Sequence, residues 1–130
     1  MTDTRKSLAI TRSATDDKLH HDNQRRTITN YLTKHNVNLD TVEWQSNKGG
    51  WTGSDDLVPL LLEGKYRAVY ITEFSRLTRN YDALLRILGA AHAANTRIVP
   101  VQFSDNDNDP FVLEFVRTQL FGNASQEQGR

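Results

Sequence analysis

The sequence predicts an α/β domain built on a mostly parallel sheet of about four to five strands, with helices on both faces. Short apolar, β-rich runs alternate along the chain with segments of helical periodicity, as is typical of βαβ units. The 130 residues are enough for one hydrophobic core. Neither a linker composition nor an internal repeat divides them, so we expect one domain over residues 1–130.

Four segments have the composition of strands. Residues 8–10 form a short apolar run, and residues 66–71 form a β-rich run long enough for a central strand. A less regular pattern predicts a strand over residues 37–44. The last segment covers residues 98–101, where Pro100 favours an edge strand or a strand end.

Helical spacing of apolar residues predicts the segments between these strands. One helix is expected over residues 22–35, and another over residues 81–94, where Asn95 ends it. Asp109 and Pro110 have the pattern of a cap followed by a first helical residue, so they predict the start of a last helix.

The segment before the central strand predicts a loop and a short helix. The glycine-rich residues 47–54 are expected to form the loop. Asp55 or Asp56 is the expected cap of a helix over residues 57–62, in which Pro59 is tolerated only in the first turn.

Composition excludes several classes of protein. The chain has no cysteine, which excludes disulfides and thiolate zinc sites and favours a reducing, cytoplasmic location. Basic and acidic residues both number 16, so the net charge gives no argument for nucleic acid. No apolar run approaches the ~20 residues of a membrane span. Histidine spacing predicts no metal site, and the glycine-rich loop lacks the lysine of a nucleotide-binding loop, so no cofactor is expected.

Arginines follow two of the predicted strands. Arg12 comes directly after residues 8–10, and Arg76 and Arg79 come between the central strand and the next helix. The carboxyl ends of parallel strands meet at one edge, where ligands bind in open α/β sheets. Guanidinium groups there suit a phosphate, because they donate in pairs and keep their charge. A solvated turn with surface arginines is the alternative for Arg76 and Arg79 alone.

The stretches "ITRSATDD" and "GKYRAVYITEFSRLTRN" resemble the catalytic domain of the serine recombinases, the group of resolvases, invertases and phage integrases. That domain has an aromatic-x-Arg-x-Ser-Thr motif near its start and an acidic residue followed by Arg-Leu-Ser-Arg-Asn after its third strand. The similarity keeps its order and spacing from about residue 7 to residue 121, which we take as the ordered core. It implies a resolvase-like, flavodoxin-like three-layer sandwich.

The resemblance implies cutting and rejoining of DNA without metal or cofactor. In this family a serine attacks a backbone phosphodiester, forms a 5′-phosphoserine link and frees a 3′-hydroxyl, and exchange proceeds within a tetramer. The partners it implies are DNA and further copies of the chain, joined through the long helix that begins near Pro110. A DNA-binding domain is expected to follow that helix in this family. By position, the resemblance assigns catalytic phosphate contacts to Arg12, Arg76 and Arg79, and phosphate or DNA contacts to Gln24, Ser75 and Asn80.

The nucleophile position is the main departure from the family pattern. With Arg12 on the motif arginine, Ala14 stands where the serine belongs, and the chain as written would form no covalent link. Either an engineered change or a naturally inactive relative would explain this. The competing alignment makes Ser13 the nucleophile, but it needs a slip of one residue, which reverses the face of a strand residue. Under the first alignment, Ser13 is expected to be a loop or cap hydroxyl.

Two further departures concern charge. The family has an arginine shortly after the glycine-rich loop, where this chain has Ser54, Asp55 and Asp56. Ser75 stands where an acidic residue often precedes the arginine motif. A second function therefore stays open, namely a non-catalytic, resolvase-like module for oligomerisation and interaction.

Overall fold

The computed structural model describes residues 4–13, 15, 17–48 and 53–102. Four parallel strands form one sheet in the order β2-β1-β3-β4. The strands are β1 (Lys6–Ser13), β2 (Val42–Lys48), β3 (Tyr66–Ile71) and β4 (Arg97–Pro100), and the helices are α1 (Lys18–Lys34), α2 (Val58–Leu62) and α3 (Tyr81–Ala93). The predicted fold class is confirmed.

The sheet separates two apolar layers. Ile28 and Leu32 of α1 pack on one face, together with Ala9 of β1. The other face carries α2 and α3, and there Leu8 and Ile10 of β1 join the core. Because successive strand residues point to opposite faces, β1 contributes to both layers in turn. We call these the α1 face and the α2/α3 face.

The first helix begins earlier than the sequence predicted. It starts at Lys18 rather than at residue 22, because Asp17 caps it by accepting a hydrogen bond from the Leu19 N–H at 2.8 Å. Leu19 is the only apolar residue among residues 18–21 and it is exposed, so no apolar stripe marks this turn and periodicity missed it. The earlier start places His20 and His21 on the helix, beside the end of β1.

The second strand is shifted towards the C-terminus. It covers Val42–Lys48 instead of residues 37–44, and a 3₁₀ turn over Leu39–Thr41 precedes it. Asn38 caps that turn, since its side chain accepts from the Asp40 N–H at 3.0 Å. The loop prediction for residues 47 and 48 was therefore wrong, because pairing with β1 extends β2 through two polar residues.

The short second helix follows a π-helical turn over Gly53–Leu57. Its N-cap is Leu57, which makes no side-chain capping bond, so the prediction that Asp55 or Asp56 caps it was wrong. Pro59 lies in the first turn, as predicted. Gly64 then turns the chain into β3 with a φ of 72°, a conformation that side chains with a Cβ rarely adopt.

The second half of the domain agrees closely with the sequence. β3 covers the predicted residues, and α3 ends one residue earlier than expected, with Asn95 in the left-handed region at a φ of 55°. Pro100 ends the edge strand β4, where its missing N–H removes no ladder bond. No helix among the described residues is long and apolar enough to cross a bilayer. The helix predicted from Pro110 lies outside the described residues.

Candidate active site at the carboxyl edge of the sheet

The carboxyl ends of three neighbouring strands meet at one edge. Arg12 and Ser13 are the last residues of β1, Thr72 follows β3, and Gln102 follows β4. The edge continues past the strands, because the Gln102 N–H donates to the Thr72 carbonyl at 3.1 Å. The sequence placed the first arginine correctly, at the edge where α/β proteins bind ligands.

Gln24 of α1 holds the backbone of Arg12. Its Nε2 donates to the Arg12 carbonyl at 2.7 Å, and its Oε1 accepts from the Arg12 N–H at 2.9 Å. The ladder between β1 and β3 pairs residues only as far as Ala9 and Tyr70, so the side-chain amide satisfies backbone groups that no strand reaches. Gln24 is 4 % exposed. With both ends of its amide engaged on Arg12, its geometry is that of a positioning residue.

Arg12 and Ser13 point to opposite faces of the sheet. Strand alternation places the Arg12 side chain on the α2/α3 face with Ile10. Ser13 lies on the α1 face, where its Oγ is 3.4 Å from Nδ1 of His20 and accepts from the Asp17 N–H at 3.1 Å. This hydroxyl therefore supports the entry into α1, as one of the two sequence alignments expected.

A second hydroxyl cluster lies one residue deeper on the α1 face. Thr11 Oγ1 is 2.7 Å from Nδ1 of His21 and 3.2 Å from Oγ of Ser46. All three residues come from different elements, so the cluster ties α1 to both β1 and β2. Sequence analysis missed it, because the helix had been predicted to begin after both histidines.

Asn47 lies beside Arg12 and was also missed. The two residues are partners in the parallel ladder, so their side chains share the α2/α3 face. Asn47 Oδ1 accepts from Gln45 Nε2 at 3.0 Å, but its Nδ2 is buried and has no hydrogen-bond partner among the described residues. A buried donor without a partner costs about 1–3 kcal/mol, so this amide is available to a bound acceptor.

Arg76 lines a cleft on the α1 side of the edge. The cleft has a volume of about 190 Å³, and its wall also includes His20, Gln24 and Thr72. Arg76 Nε is buried without a hydrogen bond in the described part of the chain and lies 3.7 Å from a Glu73 carboxylate oxygen. Glu73, which directly precedes the 3₁₀ turn of Arg76, therefore lies on the Nε side of this guanidinium.

Arg76 and Arg79 do not lie on one helix. Arg76 belongs to a 3₁₀ turn over Phe74–Arg76, while α3 begins at Tyr81. The two arginines are three residues apart, so their guanidiniums would share a face if one helix contained both, and the described structure has no such helix. Arg79 is exposed and does not line the cleft.

The other motif residues have local structural roles. Asn80 caps α3, because its Oδ1 accepts from the Ala83 N–H at 2.9 Å. Ser75 is half-buried in the 3₁₀ turn. Ala14, the residue at the expected nucleophile position, lies outside the described residues. No group of acidic, histidine or cysteine side chains that could hold a metal ion occurs in the ranges that the structure describes.

Fold and edge together define a class of protein: a small parallel α/β domain with arginines and hydroxyls where the strands end, the arrangement of a phosphate-handling catalytic domain. The family model described as "Resolvase, N terminal domain" matches residues 9–127. The chain therefore belongs to the resolvase N-terminal domain family and is a catalytic domain of the serine recombinase type.

Solved structures agree on the fold. The N-terminal catalytic domain of TP901-1 integrase matches with a TM-score of 0.65 and 14% identity, over 97% of this chain and 100% of that one. A resolvase family site-specific recombinase from Streptococcus pneumoniae gives a TM-score of 0.57 and 15% identity, over 98% and 100% of the two chains. The C-terminal catalytic domain of ISC1926 TnpA, an IS607-like serine recombinase, gives 0.55 and 19%, over 93% and 84%. A search of curated protein sequences found no match.

Proposed function

We propose that this domain cuts and rejoins DNA by transesterification, with a 5′-phosphoserine intermediate formed at position 14 when a serine stands there. The serine oxygen bonds to phosphorus, the bond from phosphorus to the 3′ oxygen breaks, and the serine proton ends on the freed 3′-hydroxyl. One phosphodiester replaces another, so the bond energy is conserved and no external nucleophile is needed. DNA is the proposed partner, the cytoplasm the proposed location, and assembly of several copies the proposed working state.

The observation that carries this proposal is the pair of hydrogen bonds between the Gln24 side-chain amide and the Arg12 backbone. It fixes the backbone at the end of β1 on both its donor and its acceptor side. A fixed backbone limits the positions that the Arg12 guanidinium can take, which lowers the reorganisation needed when charge develops on the phosphoryl oxygens. Asn47 adds a donor on the same face that no described residue accepts, and we assign this donor to a phosphoryl oxygen.

Arg76 is proposed as the second phosphate contact. Its guanidinium lies at the same edge, in the cleft beside α1. Its Nε lies 3.7 Å from a Glu73 carboxylate oxygen, and we assign the two terminal amino groups to a backbone phosphate. Arg79 is exposed, so we propose that it reaches the DNA from the rim of the site.

Ser13 is not the proposed nucleophile. Its side chain is 3 % exposed, and its oxygen already accepts a hydrogen bond from the Asp17 N–H. Attack on DNA would require this hydrogen bond to break and the hydroxyl to become exposed. The buried Ser13 hydroxyl also supports the second candidate function. With Ser13 engaged and alanine at position 14, the chain as written would be a non-catalytic module of the family.

A covalent-adduct assay tests the proposal. The chain is fused to a DNA-binding module of known target and mixed with nicked duplexes whose central sequence is randomised, and adducts are separated on a denaturing gel. The chain as written, Ala14→Ser, Ser13→Ala and the double variant are compared. We expect adducts from Ala14→Ser, with or without Ser13, and none from the other two.

Other outcomes would contradict parts of the proposal. An adduct from the chain as written that Ser13→Ala abolishes would make Ser13 the nucleophile. No adduct from any correctly folded variant would favour the non-catalytic module. Circular dichroism of each variant separates loss of chemistry from loss of fold.

A further inference from the structure

A second polar cavity lies at the opposite, amino-terminal edge of the sheet. Its volume is about 610 Å³, which is within the usual range for small-ligand pockets. Arg67 of β3 and Arg97 of β4 lie in its wall, with Asn36 and Asn38 after α1 and Asn95 after α3. Within the part of the chain that the structure describes, its lining contains no acidic residue. The cavity is therefore positively charged.

A bulge in β3 turns Arg67 towards this cavity. Lys6 pairs with Tyr66 and Ser7 pairs with Ala68, so Arg67 is an extra residue with no partner on β1. Tyr66 packs on the α2/α3 face and Ala68 on the α1 face, which shows that the alternation shifts by one residue here. A bulge redirects a side chain and is often found beside functional sites.

The buried hydroxyl of Ser7 orients the Arg67 guanidinium. Arg67 Nε donates to Ser7 Oγ at 3.3 Å, and Ser7 is fully buried. The two terminal amino groups of Arg67 make no hydrogen bond with the described residues. Arg97 is exposed, and no ion pair in that same part of the chain involves it. Two cationic groups on neighbouring strands are thus left without an anion.

Of the two helix ends beside the cavity, that of α3 is already neutralised. Helix C-termini carry partial negative charge, which would repel an anion. Arg5 donates to the carbonyls of Ala94 at 3.0 Å and Asn95 at 2.7 Å, and so covers the end of α3. Arg67 and Arg97 are therefore not needed for that end.

Tyr70 adds a hydroxyl group to the residues that line the cavity. It is 3 % exposed and lines the cavity, with its ring 6.1 Å from that of Tyr31. Its hydroxyl makes no hydrogen bond to any residue that the structure describes. A tyrosine hydroxyl in the same cavity wall as two arginines is a donor suited to an anionic oxygen.

We propose that this cavity binds a phosphate group, through Arg67, Arg97 and the Tyr70 hydroxyl. It lies about 15–20 Å from the end of β1, at ~3.3 Å per strand residue, so it is separate from the proposed active site. The phosphate belongs either to a free phosphorylated ligand or to the DNA backbone. The proposal does not depend on recombinase chemistry.

Nuclear magnetic resonance titration of the ¹⁵N-labelled chain tests the proposal. The probes are inorganic phosphate and, separately, a short DNA duplex, each compared with chloride at equal ionic strength. Arginine Nε–Hε signals and the amide signals of Ala68 and Asn95 are followed. We expect saturable shifts at Arg67 and Arg97, and a Kd raised at least about fivefold by Arg67→Gln or Arg97→Gln.

The control is Arg26→Gln, which removes an exposed arginine of α1 that lines neither cavity. It should leave the Kd within about twofold. Equal loss in this control, or absence of saturable shifts with both probes, would overturn the proposal. Arg97 is exposed, so its variant keeps the test valid if Arg67→Gln does not fold.

The two probes identify the source of the phosphate. Shifts with phosphate alone assign the cavity to a free ligand. If DNA shifts the cavity signals and Arg97→Gln removes those shifts, the cavity binds a phosphate of the DNA backbone. Arg76→Gln changes only the proposed active site and should leave the cavity shifts unchanged, so failure of the recombinase proposal would be seen separately.

Discussion

The side chain of Gln24 replaces a missing strand for Arg12, donating to its carbonyl at 2.7 Å and accepting from its N–H at 2.9 Å. Beyond Ala9, β3 no longer pairs with β1, and the helix supplies the partner instead. A glutamine is suited to this because its amide carries both a donor and an acceptor.

Gln24→Glu should destabilise the domain at neutral pH by about 1–3 kcal/mol, because a carboxylate cannot donate to the Arg12 carbonyl. The protonated acid regains a donor, which raises the pKa of the new side chain in the folded state. A raised pKa means stability that is present below the unfolded value of about 4.3 and lost as pH rises through the folded value. Urea unfolding across this pH range checks the prediction. Gln24→Met, with no titratable group, should show a deficit that does not change with pH.

Ser13→Ala should cost about 1 kcal/mol of unfolding free energy, because the Asp17 N–H loses its acceptor at the start of α1. Thr15→Ala is the matched control. Thr15 is exposed, and its hydroxyl lies 3.5 Å from that of Ser13, so its loss should cost less than about 0.5 kcal/mol. Denaturant unfolding of both variants measures the difference. An equal cost would show that the Ser13 hydroxyl has no special role at the helix start.

Arg5→Met should lower the unfolding free energy by about 2 kcal/mol. The guanidinium donates to three carbonyls that directly follow helices. Gly64 follows α2, and Ala94 and Asn95 follow α3. Arg5→Lys keeps the charge but not the planar fork, so it should recover about half of the loss. Thermal unfolding with Arg26→Met as the surface control checks this. Full recovery by lysine would show that charge, and not geometry, is what matters.

Tyr66 should make stability fall at alkaline pH. Burial raises the pKa of Tyr66 from 10.0 to about 12, and the hydrogen bond from its hydroxyl to Glu43 at 2.5 Å adds to the rise. The neutral phenol is favoured by the folded state, so this stability is present below pH 10 and is lost as pH rises towards 12.

Tyr66→Phe is expected to remove that part of the pH dependence and to cost about 1–2 kcal/mol at neutral pH. Unfolding free energy measured in steps from about pH 9 to about pH 12 checks both parts. Glu43→Gln keeps an acceptor but removes the charge, so it should lower the folded-state pKa of Tyr66. The loss of unfolding free energy at alkaline pH should then be smaller and should end at a lower pH. An unchanged alkaline profile in Tyr66→Phe would assign the loss to other groups.

Local pattern predicted the regular elements where one signal was strong. β3 and α3 were located to within one residue, because a β-rich run and an apolar stripe identify them clearly. The start of α1 and both ends of β2 were misplaced, with only residues 42–44 of the strand predicted correctly. A side-chain cap at Asp17 begins the helix, and pairing with β1 extends the strand through Asn47 and Lys48, and neither depends on periodicity.

The sequence by itself determined the fold class, the edge of the sheet that carries Arg12, and the family motifs, because each of these follows from the order of residues along the chain. Only the tertiary structure showed that Gln24 holds the Arg12 backbone, that Asn47 lies beside it with a donor that no described residue accepts, and that a bulge turns Arg67 towards a second cavity. These relationships join residues that are far apart in sequence or reverse a strand's alternation. They depend on which strands pair and in which register, and a local pattern does not contain that information.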